Sequence, residues 1–141
     1  MSDQNGNMKT IELHENGLDI QFRIRENGVV ELADFSSQEV KKAAMEPKED
    51  IYYPAVEIHR SGTGSLNMHA YKNNINQSSV DFVYENHELK AQAGGKELEI
   101  VMISPEKLKA VYHMRLFDGV PAVQTWTEII NEGSEDQGLT Y

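Results

Sequence analysis

Three kinds of residue in this 141-residue chain could do chemistry: paired carboxylates, histidines and aromatics. Two carboxylates can share general acid and base work on a sugar. Glu97 with Glu99, and Asp81 with Glu85, are the pairs available. All four alternate outward on strands whose other residues are apolar, so they are expected as solvated surface. Five histidines, His14, His59, His69, His87 and His113, invite a metal reading. No two of them stand at i, i+2 or i, i+4, the spacings that put two imidazoles on one side of a strand or helix. His59 could meet His69 across a hairpin, and His113 could meet Gln124. Structural or surface roles are expected for the histidines, with no metal and no cofactor. Tyr52, Tyr53, Tyr71, Tyr84, Tyr112, Phe117 and Trp126 could form a stacking platform for a sugar, although strand aromatics more often fill cores or cross-strand pairs. Arg60-Ser61-Gly62-Thr63-Gly64-Ser65 lacks the Gly-Lys-Ser/Thr ending of a phosphate loop. Nothing marks a nucleophile elbow.

The elements that would carry these residues are strands. Residues 1–8 are polar and read as a loose, disordered tail. Lys9 to His14 begins the β pattern, and Asn16-Gly17 is a hairpin signal. Leu18 to Ile24 alternates strictly, as a half-buried strand does. Asn27-Gly28 turns the chain again into Val29 to Phe35, completing a meander. Ser36 to Glu39 has capping-box spacing and predicts a short helix over Val40–Met45 that Pro47 ends. Tyr53 to Arg60 and Leu66 to Ala70 are expected strands. Val80–Tyr84 and Leu89–Ala91 flank Glu85-Asn86-His87-Glu88 as a hairpin. Glu97–Ile103, Leu108–Phe117 and Val120–Asn131 follow, the last two hinged at Asp118-Gly119. Nine or ten strands spaced by turns every 8–12 residues predict an all-β, antiparallel β-sandwich with one short helix.

Composition removes several function classes. Thirteen Lys+Arg stand against 23 Asp+Glu, a net charge of −10. That balance opposes the phosphate neutralisation on which nucleic-acid binding depends, and it opposes anionic lipid. No apolar run approaches the ~18 residues of a membrane span, and no secretory pattern opens the chain. The absence of cysteine removes disulfides and thiolate chemistry. A cytoplasmic domain of 9–141, binding neither nucleic acid nor membrane, is the expectation.

The last third carries a more specific pattern. Lys96-Glu97-Leu98-Glu99-Ile100-Val101, Val111–Phe117, and the run from Asp118-Gly119-Val120-Pro121 through Thr125-Trp126-Thr127-Glu128 to Asn131-Glu132-Gly133 resemble the N-terminal domain of glycoside hydrolase family 36 α-galactosidases. Tyr53-Pro54-Ala55-Val56-Glu57-Ile58 looks like that family's Pro-Ala strand, and Val30–Phe35 sits where its members turn into a long loop. The similarity covers roughly residues 18–141. It implies a supersandwich related to the galactose mutarotases, present in part, without the (β/α) barrel that holds both catalytic aspartates. By that resemblance the chain has no catalytic residue of its own. Its expected work is to pack on the barrel of its parent, shape the rim of a site for α-galactosides and mediate homo-oligomerisation. Some members reach substrate with an acidic residue in the loop before the Pro-Ala strand. Here the loop is short and its aromatic-rich motif is missing, leaving Asp50 and Tyr52 as candidate substrate-binding residues. Two rival readings are a free-standing carbohydrate-binding module with exposed aromatics and a purely structural interaction domain.

Overall fold

A computed structural model of the protein describes residues 9–40, 46–47, 52–58, 60–61 and 77–139. The described chain is an all-β sandwich of two antiparallel sheets. The first is a meander of β1 (Lys9–Glu15), β2 (Leu18–Ile24) and β3 (Val30–Ser37). A single helical turn, α1 (Gln77–Val80), precedes the second meander. That sheet runs β4 (Val83–Gln92), β5 (Gly95–Ile103), β6 (Leu108–Phe117) and β7 (Val120–Asn131), in that spatial order. No helix among the described residues is long and apolar enough to cross a membrane.

Period-two alternation explains the packing. Ile11 and Leu13 on β1, and Leu18, Ile20, Phe22 and Ile24 on β2, face Leu98, Ile100 and Met102 on β5 and Leu108, Ala110, Tyr112, Met114 and Leu116 on β6. Each such large apolar side chain removed from water contributes about 1.5–3 kcal/mol. Phe22 meets Tyr112 edge to face, 5.5 Å between centroids at 67°. Polar contacts stitch the two meanders at their ends. The Tyr84 N–H donates to the Gly28 carbonyl at 2.8 Å, the Gly119 N–H to Asn16 Oδ1 at 3.0 Å, and Lys96 pairs with Glu15. The tight turns have the backbone their residues favour: Asn16 and Gly17 sit at φ 55° and 81°, as a type I′ hairpin turn requires.

Three expectations are corrected. Glu85–Glu88 is not a turn but part of the continuous β4, with a bulge between Tyr84 and Asn86. β4 is an edge strand and exposed along most of its length, so its polarity reports two wet faces. Ser36 and Ser37 belong to β3 rather than to a helix cap; residues 41–45, where the helix was expected, lie outside the described residues. Among the described residues a helical turn stands at Gln77–Val80. Residues 52–58 form no ladder strand: Pro54 makes an isolated bridge to Glu31, while Val56 and Ile58 still enter the core. Pro lacks the N–H a ladder needs. The expected strand at Leu66–Ala70, and His59, His69 and Tyr71, lie outside the described residues.

What holds the 52–58 segment is a buried acid. Glu31 is fully buried. Its Oε1 accepts Arg23 Nε and Nη2, each at 3.2 Å, with Arg25 Nη1 at 3.5 Å, and its Oε2 accepts the Tyr53 N–H at 2.7 Å. The Ala55 N–H donates to the Val30 carbonyl alongside, and Ser79 Oγ accepts the Ile58 N–H at 2.9 Å.

Candidate functional site

The chemistry-bearing residues gather on the outer face of the four-stranded sheet. Antiparallel register puts Glu99 opposite His113 and Glu97 opposite Arg115 across β5 and β6. Across β6 and β7 it puts His113 opposite Trp126 and Arg115 opposite Gln124. The expected meeting of His113 with Gln124 is therefore corrected: the register places Trp126 there. Directly opposite side chains lie about 4.5–5.5 Å apart at Cβ, so three strands deliver two acids, an imidazole, a guanidinium and an indole to one patch.

The geometry is specific. His113 is 5% exposed and Glu97 is also 5% exposed, which corrects the expectation that Glu97 is a solvated charge. Arg115 Nη2 donates to Glu97 Oε1 at 3.0 Å, and Lys90 Nζ donates to Glu99 Oε2 at 3.1 Å. His113 Nε2 lies 2.5 Å from Glu128 Oε1. Its Nδ1 lies 3.5 Å from Glu97 Oε2 and 3.7 Å from Glu99 Oε1 and has no hydrogen-bond partner. The indole of Trp126 stacks on the imidazole, 4.7 Å between centroids and 4° from parallel, and the Arg115 guanidinium lies 5.3 Å from the indole centroid. Burial, the largest single influence on Glu97, acts to raise its pKa. The hydrogen bond and charge of Arg115, aided by His113, outweigh it and hold the carboxyl below its ordinary value. The hydrogen bond from Lys90 to Glu99 raises the pKa of the lysine.

The other candidates stay apart. Asp50 lies outside the described residues. Tyr52 sits against the β2–β3 turn, where its hydroxyl accepts Asn27 Nδ2 at 2.9 Å and its ring lies 4.3 Å beneath the Arg25 guanidinium. Asp81 is drawn to Arg60 at 3.3 Å, and Glu85 is exposed at the bulge, so that pair makes no site. The described aromatics form no common platform: Tyr112 is in the core, Tyr84 hydrogen-bonds His87 at 2.7 Å, and Trp126 is half-buried on the opposite face of its sheet from Tyr112. His14 is exposed, and the hydrogen bond to Asp19, with Glu12 helping, raises its pKa.

Reading acid pairs along single strands missed the cluster, because its members are neighbours only across strands. Hairpin arithmetic would have found it. With the β5–β6 turn placed at Pro105–Lys107, so that Ser104 faces Leu108, Glu99 falls opposite His113.

No family model matches the chain, and comparison with curated proteins gives no match.

Proposed function

We propose that this chain serves as a non-catalytic N-terminal β-sandwich of an α-galactosidase-like glycoside hydrolase, packing on a catalytic barrel, shaping the rim of its site and mediating oligomerisation. The resemblance to family 36 N-terminal domains covers roughly residues 18–141, and its most specific pieces, within 96–133, run through one continuous antiparallel unit, β5–β6–β7. That unit ends in a free edge among the described residues. Among the described residues β7 is the longest strand and pairs only with β6, and it is exposed or half-buried throughout. Val120 and Ile130 on it, with Phe117 and Leu139 nearby, are exposed large apolar side chains. The observation that carries the reading is the long outer edge of β7, open among the described residues, since unpaired N–H and C=O groups recruit another segment. The supersandwich relation, the cytoplasmic setting, and Asp50 or Tyr52 at the substrate rim belong to the same proposal. Retaining hydrolysis would use two carboxylates of the barrel, and none here.

The test has two arms. The chain alone, given a chromogenic α-galactoside, is expected to give no turnover; hydrolysis above the uncatalysed rate overturns the non-catalytic role. Mixed with a separately produced family 36 barrel, it is expected to sediment as a complex. Failure to associate, or galactose and raffinose binding by the chain alone that is lost on Trp126→Ala, overturns the proposal, the latter in favour of a sugar-binding module.

A further inference from the structure

We propose that the outer face of the four-stranded sheet is a binding site for a divalent first-row transition cation, held by His113 Nδ1, Glu97 Oε2 and Glu99 Oε1. Among the described residues these three offer one donor atom each, all within 4.8 Å of one another. The acids alone would not make a site. The second observation is the imidazole: its side chain is only 7% exposed, with an unpartnered Nδ1 aimed between two carboxylate oxygens.

Each donor is left available by what holds its other end. Glu97 gives Oε1 to Arg115 and Glu99 gives Oε2 to Lys90, so the remaining oxygen of each turns toward His113. The Nε2 contact with Glu128 at 2.5 Å suits an N–H on Nε2, so in the neutral ring Nδ1 is the nitrogen that offers its lone pair to a cation between the acids. A carboxylate behind a histidine ring N–H is the arrangement that orients an imidazole toward a metal and raises its basicity. Trp126, stacked on the ring, fixes its plane.

A proton could in principle take the place of the cation, but the spacing argues otherwise. An N–H···O bond spans about 2.7–3.2 Å, whereas Nδ1 stands 3.5 and 3.7 Å from the two oxygens. Donors about 2.0–2.2 Å from a tetrahedral zinc are separated from one another by roughly 3.3–3.6 Å. The two gaps to His113 suit a bridging metal better than a bridging proton, and the two carboxylate oxygens, within 4.8 Å of each other, close around the cation as it binds. Charge agrees. The three carboxylates Glu97, Glu99 and Glu128 outnumber the two cationic side chains that pair with them, Arg115 and Lys90. One nitrogen among the donors disfavours calcium and magnesium, which take all-oxygen shells, and suits zinc and its neighbours. Three protein donors leave a fourth position for solvent, and Glu99, 23% exposed in its side chain, opens that side to water.

The experiment is calorimetric titration of the chelator-treated full chain with Zn2+. In parallel, Co2+ is followed by its d–d absorption and by emission of Trp126, the only tryptophan. One equivalent of Zn2+ with micromolar or tighter affinity is expected, with Co2+ quenching Trp126. Glu99→Gln is expected to weaken binding by at least about tenfold, while His14→Gln, at an exposed histidine beside Glu12 and Asp19, changes nothing. His113→Gln should abolish binding. Should that variant misfold, Glu99→Gln on a partly exposed residue decides alone, its fold checked by near-UV circular dichroism. Absence of stoichiometric Zn2+ binding overturns the proposal. So do unchanged affinity in Glu99→Gln, loss of binding in His14→Gln, or Mg2+ competing as well as Zn2+.

Discussion

Replacing Glu31 by Gln tests the fold where its sequence looks least like a core. The carboxylate is fully buried and accepts two Arg23 N–H groups on one oxygen and the Tyr53 N–H on the other. An amide has one acceptor oxygen. If it faces Arg23, its NH2 confronts the Tyr53 N–H; turned round, it presents two donors to a guanidinium. Removing one partner of a buried ion pair costs about 3–5 kcal/mol, and the acceptor that survives places Glu31→Gln near the lower end. A loss of about 3 kcal/mol in a domain of this size lowers Tm by roughly 10 °C. Total stability of about 5–15 kcal/mol leaves the variant folded at room temperature. Urea and thermal melts followed by far-UV circular dichroism measure the loss. Hydrogen exchange of residues 52–58 locates it, because the Tyr53 and Ala55 amides should exchange faster than those of β5 and β6. A loss below about 1 kcal/mol, or a full loss with unchanged exchange at 52–58, would refute the account of how that segment is held.

Gly28→Ala should cost about 2–3 kcal/mol in urea melts: φ is 92° and an added Cβ would stand 2.7 Å from Val83 Cβ, joining left-handed strain to a clash. Leu98→Ala, at a fully buried position, should cost about 3–5 kcal/mol by the cavity it leaves; a loss near zero would mean the sheets do not pack as described. For Glu106, burial acts to raise the pKa, but its backbone N–H contact, Arg60 and Ser104 hold it below the usual 4.5. A depressed carboxyl stabilises the fold above its ordinary pKa and loses that contribution as pH falls through the folded value. Tm should therefore fall less steeply below pH 4.5 in Glu106→Gln than in the unmodified chain, by a small margin because the side chain is 40% exposed and screened; superimposable acid limbs would contradict this. Sedimentation equilibrium at micromolar concentration should show a homodimer that Ile130→Lys weakens, and a single 16.0 kDa species would mean the β7 edge recruits nothing.

Most of the sandwich was legible because its turns announce themselves. Asn16-Gly17, Asn27-Gly28, Gly94-Gly95 and Asp118-Gly119 each include a glycine at positive φ, and between them the apolar residues keep period two. Legibility failed where polarity had a second cause. Glu85–Glu88 looks like a turn because an edge strand may be wet on both sides, and a run of polar residues carries no information about which neighbour is missing. Tyr53–Arg60 looks like a strand because Val56 and Ile58 are buried, yet burial needs only a surface to lie on, and Glu31 supplies the anchor. Arg23 and Glu31 sit at positions whose alternation says solvent. They pair with each other, and the 52–58 segment meets Glu31 through the Tyr53 N–H and the Pro54 bridge, a long-range event with no trace in either strand alone.

The same limit explains the patch around His113. Alternation correctly puts Glu97 and Glu99 on the outward side of β5, but outward does not mean solvated here: His113, Arg115, Trp126 and Glu128 lie on the same face of β6 and β7. Once the strands pair, six large polar or aromatic side chains share one small area, and the central pair is desolvated by its neighbours. Among the described residues, the only buried side-chain nitrogens without a hydrogen-bond partner are His113 Nδ1 and Arg115 Nε, both in this patch. An unsatisfied buried polar atom costs about 1–3 kcal/mol, and native structures keep few of them. A surface meant only for solubility would avoid that cost with a lysine or threonine in place of His113. Retaining the imidazole there, with its outer nitrogen bonded to Glu128 and its inner one facing two half-occupied carboxylates, follows when a cation completes the set. The metal site and the proposed role in a glycosidase rest on different parts of the molecule, the donors on the sheet's outer face and the unpaired edge of β7. A chain that binds zinc but no barrel, or a barrel but no zinc, would separate them.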